Sequence, residues 1–187
     1  MQGVRLEIPN AALLGAYVEA LRTGWSPSNS RDLSGPHLAA IEVDPAAFLA
    51  EYEWAAGKTT VLADGEVVPR LRGHQYWISD GAFDGAFCGT IGLRYQAGTI
   101  ELPSYTSGHV GYTIVPWKRR QGIATAALRA LLPIAHEAGL GAIVLTTDPD
   151  NVASQHVISG VGGVRIADQP ANATFAHRYA YRIQTAR

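Results

Sequence analysis

The sequence predicts an α+β fold in which a mixed, mostly antiparallel sheet is flanked by helices, and three observations carry this. Strand-like alternating segments cluster between Gln75 and Val115, a long helical segment runs from about Gly122 to Glu137, and a further strand, Ala142 to Thr146, follows that helix. Strand, helix, strand in that order makes a right-handed crossover, which places a parallel strand pair inside an otherwise antiparallel sheet.

Taken in order, the chain opens on the alternating run Val4-Arg5-Leu6-Glu7-Ile8, a strand. Pro9-Asn10 then starts a helix whose Leu13, Leu14, Tyr17, Val18 and Leu21 recur at helical spacing until Gly24. Residues 25–37, rich in Ser, Pro, Asn and Gly, read as a loop, and Asp44-Pro45 is an N-cap and first-turn pair for a second helix reaching about Gly57. Strands Gln75–Ser79 and Thr90–Tyr95 meet across a turn region holding Asp80-Gly81 and Asp84-Gly85. A third strand, His109–Val115, is ended by Pro116, which cannot donate to a ladder. After the long helix, stopped at Gly139, come the strand at 142–146, a short helix from about Asn151 to Ser159, and closing strands near Val164 and from Tyr179 to Ile183. No internal repeat or low-complexity segment interrupts this order.

At 187 residues and 47% hydrophobic content, the chain reads as one domain, residues 1–187, with a substantial core. Charged residues make up only 17%, yet no charge block suggests disorder. A net charge of −1 gives no pull toward nucleic acid or an anionic membrane. The single cysteine, Cys88, cannot form an internal disulfide or a Cys-based zinc site; in Phe87-Cys88-Gly89 it reads as a small strand residue. No His/Cys/carboxylate cluster has metal-ligand spacing, Met1 to Pro9 lacks a signal core, and no apolar run approaches the ~18 residues of a membrane span. The expectation is a cytoplasmic protein without metal, membrane or nucleic-acid partner.

The chemistry starts where the third strand ends. Lys118, Arg119 and Arg120 immediately precede the long helix, whose positive dipole end favours acids over bases. At roughly 0.3–1 kcal/mol per end charge, three cations there call for a compensating anion. Gly122 and Ala124 leave the first-turn amides uncovered, and residues 120–125 offer several N–H donors to one oxyanion cluster such as a phosphate. Taken alone, R-x-x-G-x-A also describes a solvated basic loop in front of an ordinary amphipathic helix.

In context, with Ile114 and Pro116 upstream and Leu145-Thr146-Thr147-Asp148 and Asn151-Val152-Ala153-Ser154 downstream, Arg119, Gly122 and Ala124 resemble the R/Q-x-x-G-x-G/A signature of the GNAT superfamily of N-acetyltransferases. The likeness covers about Tyr76 to Val164, and the run from Gly108 through Asn151 to Gly163 is especially similar to bacterial members with little-defined substrates. The resemblance implies a splayed parallel strand pair with the pantetheine of acetyl-CoA between its strands, contacting Tyr112, Ile114 and Val115. It implies a pyrophosphate site over Arg119, Arg120, Gln121, Gly122, Ile123, Ala124 and Thr125, with Asn151 and Ser154 reaching the pantetheine arm; Asn151 also reads as a helix N-cap. The Tyr112 amide would face the thioester carbonyl as an oxyanion donor. Where the superfamily often places a tyrosine acid seven residues after that Asn, this chain has Ile158, and nothing in the spacing of Tyr105, Tyr112 or Tyr179 selects a substitute.

The acceptor amine must attack neutral, and bringing a lysine-like amine from a pKa of about 10.4 to neutrality at pH 7 costs roughly 4.6 kcal/mol, so a base helps. His109, three residues before Tyr112 and near where the family often keeps a Glu, is the first candidate, Glu101 the second, and His156 on the short helix a lesser one. Gly160-Val161-Gly162-Gly163 follows a helix and precedes a strand, the reverse of a dinucleotide fingerprint, and no G-K-S/T follows the basic loop. The expected activity is transfer of an acetyl group from acetyl-CoA to a small-molecule or peptide amine. The alternatives are a non-catalytic module that binds acyl-CoA or serves as a partner subunit, and a plain anion-binding domain. A homodimer is compatible with the sequence. The acceptor pocket falls to residues 10–72, where Glu51, Glu53 and Asp64 could meet a cationic amine.

Overall fold

The computed structural model describes residues 3–29, 31–52, 58–62, 65–81, 85–171 and 176–186. They form two units, one of Met1–Trp54, His74–Gly92 and Gly111–Ala130, the other of Ala55–Gly73, Leu93–Val110 and Leu131–Arg187. The first strand, β1 Arg5–Glu7, leads to α1 Ala11–Arg22, which Asn10 starts as expected by accepting from Leu13 N–H. Two further helices follow, α2 Ser34–Val43 and α3 Pro45–Ala50; Asp44 caps the latter by accepting from the amides of Ala46 and Ala47.

The first unit carries most of a four-stranded sheet. Its order is β1, β4 Arg72–Ser79, β5 Phe87–Tyr95, β6 Val110–Ile114. β1 lies antiparallel to β4 with Glu7 opposite Trp77. Asp80 N–H donates to Ala86 O at 3.2 Å and closes the β4–β5 hairpin. β5 and β6 are antiparallel as well, since Val115 N–H donates to Cys88 O at 3.0 Å while Thr90 and Thr113 bring their hydroxyls within 3.1 Å. Gly89, at φ +147°, allows this approach, because a Cβ there would collide with Thr113 O; Gly73, at the same φ, stands likewise against Leu93 O in the second unit.

Tyr17 is the hub of the first unit's core, fully buried among Leu21, Trp25, Phe48, Trp77, Phe87 and Val115. Its ring stacks on Trp77 at 4.5 Å and meets Trp25 and Phe87 edge-on at 5.8 and 5.5 Å. Such aromatic pairs add about 0.5–1.5 kcal/mol each beyond the area they bury.

The second unit holds the short hairpin β2 Thr59–Val61 with β3 Val67–Pro69, and a three-stranded antiparallel sheet of order β7 Ala142–Thr147, β9 Arg178–Gln184, β8 Val164–Gln169. Leu140, Ile143, Leu145 and Ile183 are buried there, and the Thr185 hydroxyl donates to Leu140 O. The long helix α4 spans Ile123–Glu137, and the short one, α5, spans Val152–Ser159.

The α+β class with antiparallel strands flanked by helices is what the sequence predicts. β6 and β7, the expected splayed pair, end different sheets, and the amide of His109, just before β6, donates to Val144 O on β7 at 2.7 Å. Two elements correct the sequence reading. Residues 34–43 are helical where the run to residue 37 reads as loop, because Asp32 Oδ1 accepts from both the amide and the hydroxyl of Ser34, and Pro36 sits in the first turn, where its missing N–H costs nothing. The β2–β3 hairpin was not expected.

Candidate functional site

β6 is the last strand of its sheet, and pairing alternates along it. Val115, just past its end, points its N–H at Cys88 O, so Tyr112 and Ile114, out of phase with it, turn their N–H groups away from β5. On that outer side Tyr112 O accepts from Asn29 Nδ2 at 3.1 Å, and Ile114 O accepts from Arg119 Nε at 3.0 Å. Val115 does not fit the main-chain role expected of it. Its N–H is held by Cys88, its carbonyl accepts from Lys118 N–H at 3.0 Å, and its side chain is fully buried.

After the 3-10 turn Pro116–Lys118 the backbone turns left-handed twice, at Arg120 (φ +59°) and Gly122 (φ +77°). Arg120 is the one non-glycine with positive φ among the described residues. A bulky side chain held there costs on the order of 1–3 kcal/mol, and such outliers gather where backbone is shaped for a ligand. Ala126 N–H donates to Gly122 O at 3.0 Å, so helix geometry leaves the amides of Ile123, Ala124 and Thr125 without an intrahelical acceptor. Left-handed residues spaced through a turn aim neighbouring amides at one concavity, an anion-binding nest. The three cations are not equivalent, however. Asp80 binds Lys118 Nζ at 2.9 Å with both side chains about one-quarter exposed, so one of the charges expected to await an anion already has one. Gln121 Nε2 donates to Trp117 O at 3.0 Å and stiffens the turn.

The remaining predicted residues lie in the second unit. His109 is fully buried; its amide donates to Val144 O at 2.7 Å and its Nδ1 accepts from Val144 N–H at 3.0 Å. An amide can only donate, so neutral His109 carries its proton on Nε2, a buried atom with no partner. Burial, helped by the nearby Arg94 cation, holds the ring's pKa below the usual histidine value. The ring is therefore a neutral donor with no lone pair free for an amine proton, which takes away the geometry that would make it a base. Asn151 caps α5 by accepting from Ser154 N–H at 3.0 Å. Ile158 is fully buried. Glu101 and His156 are exposed, Tyr105 donates to Pro69 O at 3.3 Å, and Tyr179 lies under the Arg165 guanidinium at 3.5 Å. Glu51 is exposed at the end of α3, while Glu53 and Asp64 lie outside the described residues.

One polar cluster in the first unit escaped the sequence reading. Tyr17 Oη lies 2.6 Å from His37 Nδ1 and 3.5 Å from Tyr52 Oη. Burial, with Tyr52 alongside, pushes the Tyr17 phenol far above its normal value, and burial with the Arg31 cation lowers His37. In the sequence Tyr17 is one more apolar-face position of α1 and His37 a loop residue, so nothing local joins them. Among the described residues no three His, Cys, Asp or Glu side chains gather as a metal site, and no helix is long and apolar enough to cross a membrane.

A profile of the acetyltransferase (GNAT) domain matches residues 40–164. No curated protein matches the chain. Among solved structures, RimJ of Mycobacterium smegmatis in complex with CoA-disulfide is similar at 19% identity and TM-score 0.63, over 97% of this chain and 81% of that one. A GNAT-family acetyltransferase of Bacillus anthracis matches at 14% identity and TM-score 0.60, over 98% and 95%. RimL, the ribosomal L7/L12 alpha-N-protein acetyltransferase in complex with coenzyme A, matches at 14% and 0.60, again over 98% and 95%.

Proposed function

Because the chain belongs to the GNAT family of acetyltransferases, we propose that it takes acetyl-CoA as donor and passes the acetyl group directly to a primary amine of a small molecule or peptide. The observation that carries this reading is the left-handed pair Arg120 and Gly122 leading into the first turn of α4. A pyrophosphate on the amides of Ile123, Ala124 and Thr125 accounts for the strain at Arg120 and for two arginines at the positive end of a helix. The CoA complexes of RimJ and RimL support the choice of donor.

In the reaction the amine nitrogen attacks the thioester carbonyl carbon, negative charge gathers on the carbonyl oxygen, and the C–S bond breaks to release CoA thiolate. The Tyr112 N–H, turned away from β5, donates to that oxygen; losing one such donor typically costs about 2.7–4 kcal/mol of transition-state stabilisation. The thiolate is a stable enough leaving group to depart without a dedicated acid, as the apolar Ile158 requires. That same buried Ile158 favours a second reading, an acyl-CoA-binding module without turnover.

Thermal denaturation tests the first step: saturating acetyl-CoA raises Tm by mass action, and Gly122→Glu, which puts bulk and negative charge where the pyrophosphate sits, removes the shift while the fold survives. No shift for the wild-type protein overturns the donor assignment. Thiol release from acetyl-CoA over a panel of amines separates the transferase from the binding module.

A further inference from the structure

Two histidines, His109 buried and His37 half-buried, face opposite constraints at Nδ1. The partner of His109 Nδ1 is an amide, which cannot accept. The partner of His37 Nδ1 is a tyrosine hydroxyl, which donates or accepts according to need. When Tyr17 donates, His37 carries its proton on Nε2; when Tyr17 turns its proton toward Tyr52 Oη, 3.5 Å away, His37 Nδ1–H donates to Tyr17 and the Nε2 lone pair is free. Only His37 can switch.

Its setting suits an acceptor site. His37 is half-buried in the first turns of α2, edge-on to Phe48 at 5.2 Å, and Tyr52 is half-buried beside it. The chain bearing it is tied to β6, for Asn29 Nδ2 donates to Tyr112 O at 3.1 Å. Ser26 Oγ clasps the intervening turn, accepting from Leu33 N–H at 3.1 Å and donating to Arg31 O at 3.3 Å. We propose that His37 is the base that takes the proton from the attacking amine, with Tyr17 and Tyr52 as positioning residues that set its tautomer; this rests on the acetyl-transfer reading above.

The step balances. As the amine nitrogen bonds to the acetyl carbon it gains positive charge and yields a proton to His37 Nε2. The charged ring then donates from Nδ1 to Tyr17 Oη, the C–S bond breaks, and the ring returns its proton to the departing thiolate or to water. The charged and titratable groups facing the ring are Tyr17 from α1, Tyr52 beyond α3 and Arg31 from the preceding turn. Burial, with Arg31 beside it, keeps it neutral near pH 7, as a base must be, and too weak to strip a lysine-like ammonium. The acceptors it serves are weakly basic amines, such as a peptide α-amine, that arrive neutral.

Two measurements test this on the full chain. The first is nitrogen-detected NMR titration of the histidine rings of the free protein. His37 is expected to titrate reversibly below pH 6.5 and to populate the Nδ1–H tautomer, and Tyr17→Phe to change that population; a ring locked as Nε2–H across the folded range overturns the proposal. The second is thiol release from acetyl-CoA with glycinamide. His37→Gln is expected to lower kcat by about 10²–10⁴-fold and to abolish the acidic limb of the pH profile, with the acetyl-CoA-induced Tm shift intact. An unchanged profile overturns it. If acetyl-CoA gives no Tm shift even with wild type, the donor reading has failed, while the NMR arm still decides the chemistry of His37. The same arm decides alone where glycinamide is not turned over.

Discussion

His109, buried, and His37, half-buried, are both held below the ordinary histidine pKa by desolvation and both bonded through Nδ1, yet they are chemically opposite. The difference is one atom across the hydrogen bond. Val144 N–H fixes His109 as a donor; the Tyr17 hydroxyl leaves His37 able to be either. A depressed pKa alone therefore does not identify a base, and the reversibility of the partner does.

The largest effect that can break this comparison is kinetic. His37→Gln should cost two to four decades in turnover, roughly the contribution of general base catalysis, whereas His109→Leu should change turnover per folded molecule far less. Should the two swap, the tautomer argument fails. Next comes stability. His109→Leu leaves Val144 N–H buried without its acceptor, an expected loss of about 1–3 kcal/mol in urea unfolding, and a result within error of wild type would show the ring to be idle there too.

A third, smaller effect is acid sensitivity. Both rings have folded pKa values below the unfolded value of about 6.5, so the unfolded chain binds protons more readily; their contribution to stability is complete above about pH 6.5 and is lost as pH falls toward the folded values. Wild type should lose stability between pH 7.5 and 5.5, and His109→Leu should lose less over the same step. A parallel pair of curves would show that His109 does not titrate on unfolding. The smallest effect concerns Arg120→Gly, which relieves the left-handed strain and removes one charge. Tm of the free protein should hold or rise by a few degrees while the acetyl-CoA-induced shift shrinks.

Much of the nest was readable because its parts are consecutive. Arg119, Gly122, Ala124 and the strand and helix around them follow one another within about a dozen residues, and local rules govern strand ends, helix starts and dipole-charge conflicts. What was missed depends on distance along the chain. Asp80 reaches Lys118 across 38 positions, Tyr17 meets His37 across 20, and neither pair has a periodicity to betray it. Helix α2 was hidden by Ser34-Gly35-Pro36, turn residues in most contexts but acceptable in a first turn that Asp32 supports from outside. The hairpin β2–β3 does have a local signal, Thr59-Thr60-Val61 and Val67-Val68 on either side of Asp64-Gly65 in the sequence.

The close approach at Gly89 has a consequence for how this sequence can change over generations. Every single-base change in a glycine codon that alters the amino acid inserts a residue with a Cβ, and at Gly89 that carbon meets the Thr113 carbonyl of the neighbouring strand; Gly73 meets Leu93 in the same way. Neither position has a neutral neighbour in mutational space. At Gly24, Gly98 and Gly139 the same carbon would meet open space, and the only obstacle is a left-handed backbone that asparagine can also adopt, two base changes away. A lineage descending from this chain can wander at those turns, but it can leave Gly73 or Gly89 only by parting the strands.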